Sequence, residues 1–294
     1  MTAATIGNGL TLEYDVHGDG DPLLLVMGLG AQLIAWPMEL IDALLDRGFH
    51  VIRYDNRDVG LSTKFDAVGG GADVGAQFLA AMQGQPVEAP YLLTDMAADG
   101  IGLLDHLSID SAHIVGASMG GMIVQTMAIG HPTRVRTLTS IMSTTGDADV
   151  GQPTPEAIQA LLSPVATTRD EAIERSVETS KIIGGPEHFD EANARKRAEE
   201  AYDRCFNPQG TARQLLGILA SGSRAEGLAK LDVPSLVIHG EVDPLVTLSG
   251  GQRTAELIPG AELLVLEEMG HDLPLPLLPQ VVDAITTLAA RSNA

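Results

Sequence analysis

The chain has 294 residues, 45% of them hydrophobic and 19% charged, which suffices to bury a sizeable core and excludes a disordered protein. With 18 basic and 39 acidic side chains its formal net charge is −21, which excludes nucleic acid as a general partner and disfavours anionic membrane surfaces. One cysteine, Cys205, can make neither an internal disulfide nor a thiolate metal cluster, and aromatics at 3% argue against a base- or sugar-stacking surface.

The first ten residues carry no Lys or Arg and no long apolar run, so no secretory signal is expected there. No stretch approaches bilayer length, so no stable membrane insertion is expected, and a cytoplasmic location is the default. Residues 10–16 place apolar side chains on every second position, as in a half-exposed antiparallel strand. Continuous apolar runs follow at 23–27, 51–54, 113–116, 236–239 and 263–266, the mark of strands buried on both faces.

Helical segments lie between them. Pro37 opens the first, Met38, Ile41, Leu44 and Leu45 share its face, and Gly48 closes it. Thr94 is the expected cap of a second that runs to about His106. A third starts after Ser118 and stops at Gly130-His131-Pro132, and the last begins near Pro279. This alternation predicts an α/β fold, a mostly parallel sheet with helices on both faces.

Two segments interrupt the pattern. Residues 66–90 contain Gly69-Gly70-Gly71 and read as an irregular excursion with a short helix around 78–82. Residues 146–212 lack strand runs and carry 13 acidic against 7 basic residues in amphipathic helical stretches. An insertion of that length predicts a helical cap (146–212) on a core made of 1–145 and 213–294.

The strongest local signal is Gly116-Ala117-Ser118-Met119-Gly120, a G-x-S-x-G pattern between a buried-strand run and a helical one. There a serine sits on a tight strand-to-helix turn with its hydroxyl outward, and the flanking glycines let two backbones approach. A hydroxyl becomes a nucleophile only when a base takes its proton and a third group orients the base. The expected chain order is Ser, acid, His. Asp243 follows the strand run at 236–239, and His271 follows the next, at 263–266. Parallel strands all end on one edge, which puts both beside Ser118. Of the eight histidines only His239 competes as base, and it would share a loop with the acid, so a packing role is expected for it. Glu241 competes with Asp243, the Asp before Pro244 being favoured, and Asp272 is expected to be a solvated neighbour of the histidine.

Taken together these stretches resemble the α/β-hydrolase family over essentially the whole length: LLVMGLG at 24–30, VIRYDNRDVGLS at 51–62, the Ser118 elbow, VPSLVIHGEVDP at 233–244 and Gly270-His271. Within it the chain is most similar to the bacterial esterase branch that includes aclacinomycin methylesterase and related small lipases. The resemblance implies an eight-stranded sheet and an oxyanion hole made by the backbone N–H groups of Met119 and Leu29. Many relatives carry His-Gly where this chain has Met27-Gly28, a change that keeps the backbone donor and makes the entrance more apolar. It also implies that Asp55, Arg57, Gly60 and Ser62 shape a bracing turn instead of doing chemistry. Met27, Trp36 and Met269 adjoin these elements and are candidate pocket residues; Met122 and Met127 are expected in the core.

The function expected is hydrolysis of small to medium, largely uncharged carboxylic esters, a small-molecule partner, through an acyl-enzyme with no cofactor and no metal. Lactone, thioester or carbon–carbon bond hydrolysis, acyl transfer and perhydrolysis on the same three residues are the alternatives, with a ligand-sensing protein further behind. Homo-oligomerisation stays open.

Overall fold

In the computed structural model, which describes residues 2–7, 9–66 and 74–292, eight strands form one sheet. They are β1 (Thr2–Thr5), β2 (Thr11–His17), β3 (Asp21–Val26), β4 (Phe49–Tyr54), β5 (Ala112–Ala117), β6 (Val135–Ile141), β7 (Ser235–Gly240) and β8 (Glu262–Leu266). Their spatial order is β1-β2-β4-β3-β5-β6-β7-β8. Strand β2 pairs antiparallel with β1 on one side and with β4 on the other, whereas β4, β3 and β5 to β8 pair parallel to one another. Two strands lie outside the apolar runs, the short β1 and β6, whose VRTLTSI interleaves polar residues with apolar ones.

Side-chain alternation sends successive strand residues into two separate apolar layers. Leu24 and Val26 of β3 and Ile114 of β5 join one layer, with α3 (Leu93–His106) and α4 (Met119–Gly130). Leu23, Leu25 and Val115 join the other, with α1 (Met38–Asp46) and α11 (Leu278–Arg291). Each fully buried Leu or Val contributes about 1.5–3 kcal/mol, so these two layers carry most of the drive to fold.

The helix ends follow the sequence signals in part. Pro37 precedes α1 and Gly48 follows it with φ of 84°, while α4 starts directly after Ser118 and stops at His131. The second expected cap was displaced: α3 starts at Leu93, and the Asp95 carboxylate accepts from the Leu92 N–H. The short helix of the first excursion is α2 (Val74–Met82); Gly69, Gly70 and Gly71 lie outside the described residues.

Between β6 and β7 the chain forms α5 (Pro155–Leu161), α6 (Arg169–Ile183), α7 (Glu191–Arg204), α8 (Pro208–Ser221) and the one-turn α9 (Ala225–Leu228). Thr154, Thr168, Asp190 and Asn207 cap the first four by accepting from a backbone N–H with their side chains. Helix α8 runs unbroken through residues 212 and 213, so the expected boundary falls inside a helix. A further helix, α10 (Leu248–Leu257), separates β7 from β8. Among the described residues no helix is long and apolar enough to cross a membrane.

Candidate active site

Ser118 stands between β5 and α4 with φ of 56° and ψ of −120°, a backbone conformation costly for a residue with a Cβ. The surroundings hold it there: its N–H donates to the Ile141 carbonyl at 2.9 Å and its carbonyl accepts from Ser143 Oγ at 2.8 Å. The turn closes because Gly120 lies against the Val26 carbonyl and Gly116 against that of Gly120, where any Cβ would overlap.

Three strand-end loops converge on this hydroxyl. Ser118 Oγ is 2.8 Å from His271 Nε2, and His271 Nδ1 is 2.7 Å from Asp243 Oδ2. The other carboxylate oxygen, Asp243 Oδ1, accepts from the N–H groups of Leu245 at 2.8 Å and Val246 at 2.9 Å. Asp243 is buried and the His271 side chain is only 7% exposed, so the chain of hydrogen bonds is shielded from water up to the serine. With Asp243 accepting at Nδ1, the neutral imidazole presents a lone pair at Nε2 to the serine O–H.

His239 is fully buried on β7 and donates from Nε2 to the Val246 carbonyl at 2.7 Å, 3.7 Å from Asp243 Oδ2. It packs the acid's loop, and burial lowers its pKa. Asp272 departs from expectation: it is half-buried, and its Oδ1 accepts from Gly270 N–H at 3.1 Å and Gly185 N–H at 3.3 Å. Burial raises its pKa against those two bonds. With His271 N–H donating to the Ile183 carbonyl at 2.7 Å, it joins the histidine loop to the end of α6.

Opposite the serine lies the turn after β3. A Cβ on Gly28 would stand 3.1 Å from Ser118 Cβ, so this backbone passes directly over the elbow. Leu29 follows, and among the described residues neither its N–H nor that of Met119 donates to an acceptor in the protein. The VIRYDNRDVGLS stretch braces this turn. Asp55 accepts from Leu33 N–H and Leu61 N–H, both at 2.8 Å, and pairs with Arg204 at 2.7 Å; Asn56 Nδ2 donates to the Met27 carbonyl at 2.9 Å. Arg57 is paired in fork geometry with Asp99 at 2.6 and 2.7 Å, and Ser62 Oγ donates to the Asp55 carbonyl at 2.6 Å.

A cavity of about 470 Å³ begins at Leu29 and Gly30 and extends beneath the inserted helices, along Leu161, Val165, Tyr202, Phe206 and Leu215. Ser118 and His271 are not on its wall; the turn after β3 is the link between cavity and hydroxyl. Met27, Trp36 and Met269 are placed otherwise than expected. All three are buried in the apolar layer shared with α1 and α11, and none lines this cavity. Met119, Met122 and Met127 are buried in the opposite layer. Among the described residues no group of three or more His, Cys, Asp or Glu side chains is arranged to hold a metal ion.

Sequence reasoning missed the groups that tie the inserted helices to this rim: Gln32, Asp58, Arg213 and Gln214. Gln32 Nε2 donates to the carbonyls of Ala201 and Cys205. Arg213, on α8, pairs with Asp58 at 2.7 and 2.9 Å with both side chains buried. No periodic signal marks an isolated polar residue of a loop or helix as buried, so none was available to find them.

The model of the alpha/beta hydrolase fold matches residues 21–276. The chain belongs to the α/β-hydrolase family. It is 30% identical over 285 residues to the rhodomycin D methylesterase of Streptomyces peucetius, covering 88% of this chain and 89% of that protein. To 3-oxoadipate enol-lactonase 2 of Acinetobacter baylyi it is 28% identical over 265 residues, 88% and 85% of the two chains. A meta-cleavage product hydrolase from Pseudomonas fluorescens superposes with a TM-score of 0.76 at 21% identity, covering 99% and 98% of the two chains, a likeness of fold.

Proposed function

We propose that this α/β-hydrolase cleaves carboxylic esters of medium-sized, largely uncharged molecules through an acyl-enzyme formed on Ser118. The observation that carries the reading is the unbroken hydrogen-bonded chain from Ser118 Oγ through His271 to buried Asp243. Ser118 Oγ attacks the ester carbonyl while His271 Nε2 takes its proton, and the resulting imidazolium hands that proton to the departing alkoxide. Water then attacks the acyl-serine, His271 again accepting a proton and returning it to Ser118. Asp243 holds the tautomer and stabilises the imidazolium. The free N–H groups of Leu29 and Met119 receive the oxyanion, aided by the N-terminus of α4.

The cavity supports the substrate class. Its volume lies within the roughly 300–1,000 Å³ of small-molecule sites, and its wall is mostly aliphatic and aromatic. Among the described residues the cation on it, Arg175, is charge-paired with Glu171 through Nη2 at 2.6 Å, its buried Nη1 having no protein acceptor, and the amides of Gln32 and Asn207 donate to backbone. Hydroxyls of Ser176, Thr179, Tyr202 and Thr211 remain to meet a neutral polar group. The inserted helices act as a cap that excludes water, and the net charge of −21 slows anionic substrates. The likeness to a methylesterase supports esters with a small alcohol, and the likeness to an enol-lactonase supports cyclic esters beside them.

The test is a panel of methyl, aryl and cyclic esters with the wild-type protein and Ser118→Ala. Turnover of uncharged esters that falls about 10⁴-fold or more in the variant is expected. Equal turnover by the two proteins, or a phosphonate probe that modifies a residue other than Ser118, would overturn the assignment.

A further inference from the structure

The turn after β3 is gripped from the inserted helices as well as from the sheet. Gln214 Oε1 accepts from the Gly30 N–H at 2.8 Å, across 184 residues of chain. Gln214 Nε2 donates to the Arg57 carbonyl at 2.7 Å, and the residue has no exposure to solvent. Both ends of one buried amide thus hold backbone, the oxyanion turn on one side and its bracing loop on the other. The approach is close: Gly30 has φ of 67°, and a Cβ there would stand 2.8 Å from Thr211 Oγ1 on the same helix. A side chain on residue 30 would collide with the Thr211 side chain.

The consequence for the turn is geometric. With the Gly30 N–H consumed by Gln214 and the Met27 carbonyl held by Asn56, the backbone is fixed on both sides of Leu29. Among the described residues the Leu29 N–H, between these two anchors, donates to no acceptor in the protein. An oxyanion donor acts through pre-organisation, so an acceptor that locks the adjacent peptide acts on the transition state without touching substrate.

We propose that Gln214 is a positioning residue of the oxyanion hole, a role that rests on the ester-hydrolysis reading. Because Thr211, Ala212 and Leu215 of the same helix line the cavity, the seating of α8 sets both how the substrate is housed and where its oxyanion is received.

Gln214→Leu removes both contacts, and Gln214→Glu keeps an acceptor for Gly30 N–H. Three readouts separate positioning from mere support: kcat against KM, the rate at which a fluorophosphonate labels Ser118, and hydrogen exchange at the Gly30 amide. Gln214→Leu is expected to lower kcat about tenfold to a hundredfold with KM within about twofold, and to slow labelling in parallel. Its Gly30 amide loses protection, while Gln214→Glu keeps that protection and most of the rate. The proposal is overturned if the folded Leu variant keeps wild-type kcat and labelling rate, if Gly30 stays protected, or if both variants fall equally. Should the wild-type protein turn over no ester, the ester reading fails by itself, and labelling and exchange still decide whether Gln214 sets the turn.

Discussion

The sheet and the helices inserted after β6 are held by different kinds of interaction. Strand side chains alternate into two apolar layers, with Leu23, Leu24, Leu25 and Val26 all fully buried. Among the described residues the inserted helices have a small apolar centre of their own, Ile173, Val177 and Ala198. Much of what fastens them to the rim is polar: Arg213 on Asp58, Gln214 on Gly30 and Arg57, Gln32 on α7, Asp272 on Gly185. Apolar burial is forgiving of exact position, whereas a buried hydrogen bond is lost within an ångström. The sheet therefore supplies stability, and the polar contacts supply the register of helices over the candidate site.

The largest effect on this contrast comes from breaking the buried ion pair. Arg213 and Asp58 are both buried, and Asp58 Oδ2 also accepts from Tyr91 Oη at 2.7 Å. Arg213→Leu strands the carboxylate, a change that costs about 3–5 kcal/mol. The cost should fall first on the inserted helices. The chain's one tryptophan, Trp36, is buried in the layer against α1 and reports the sheet, while far-UV circular dichroism reports helices everywhere. In urea the variant is expected to lose ellipticity before its tryptophan fluorescence shifts, and Asp58→Asn in the same chain should restore part of the loss. Coincident curves would show that the insertion and the sheet melt as one unit, and the contrast would fall.

Leu24→Ala is the counterpart from the sheet. Leu24 is fully buried in β3 between paired strands β4 and β5, so the cavity left behind costs about 2–5 kcal/mol. Here both probes should shift together. A variant in which only the fluorescence moves would mean that the layers are less continuous than their packing indicates.

These two sites also mark what could be read from sequence. The strand runs, the elbow and the Ser, Asp, His order are local signals, because each of these residues lies in the segment that leaves the end of a strand and parallel strands end on one edge. Strand β6 escaped because Thr137 and Ser140 look exposed; they are buried and satisfied by His113 and Gln125. Met27, Trp36 and Met269 show the opposite failure. Each adjoins a functional loop, but the strand and turn geometry carries the side chain to the far side, into the core. Gln214 and Arg213 were illegible for a third reason: burial of a polar residue depends on what it meets 150 or more positions away, not on its neighbours.

A smaller effect tests whether buried polar groups in the sheet behave as those under the insertion do. His113 on β5 is fully buried, meets Thr137 Oγ1 at 2.9 Å through Nδ1 and packs edge-on against Phe49 at 5.7 Å. Burial, and secondarily Arg136, lowers its pKa from 6.5 to about 4. The folded chain therefore refuses a proton that the unfolded chain accepts below about pH 6.5. The stability this neutral imidazole contributes is complete above that pH and is lost as pH falls towards about 4, by roughly 2.5 kcal/mol at pH 4.5. His239, lowered by burial in the same direction, adds to the slope. His113→Asn keeps a polar partner for Thr137 and removes the titration. Melting temperatures between pH 7.5 and 4.5 should fall less in the variant than in the parent, with ester turnover at pH 7.5 unchanged. Identical slopes would mean that the imidazole is protonated in the folded sheet, and that its pocket admits the charge that its burial should exclude.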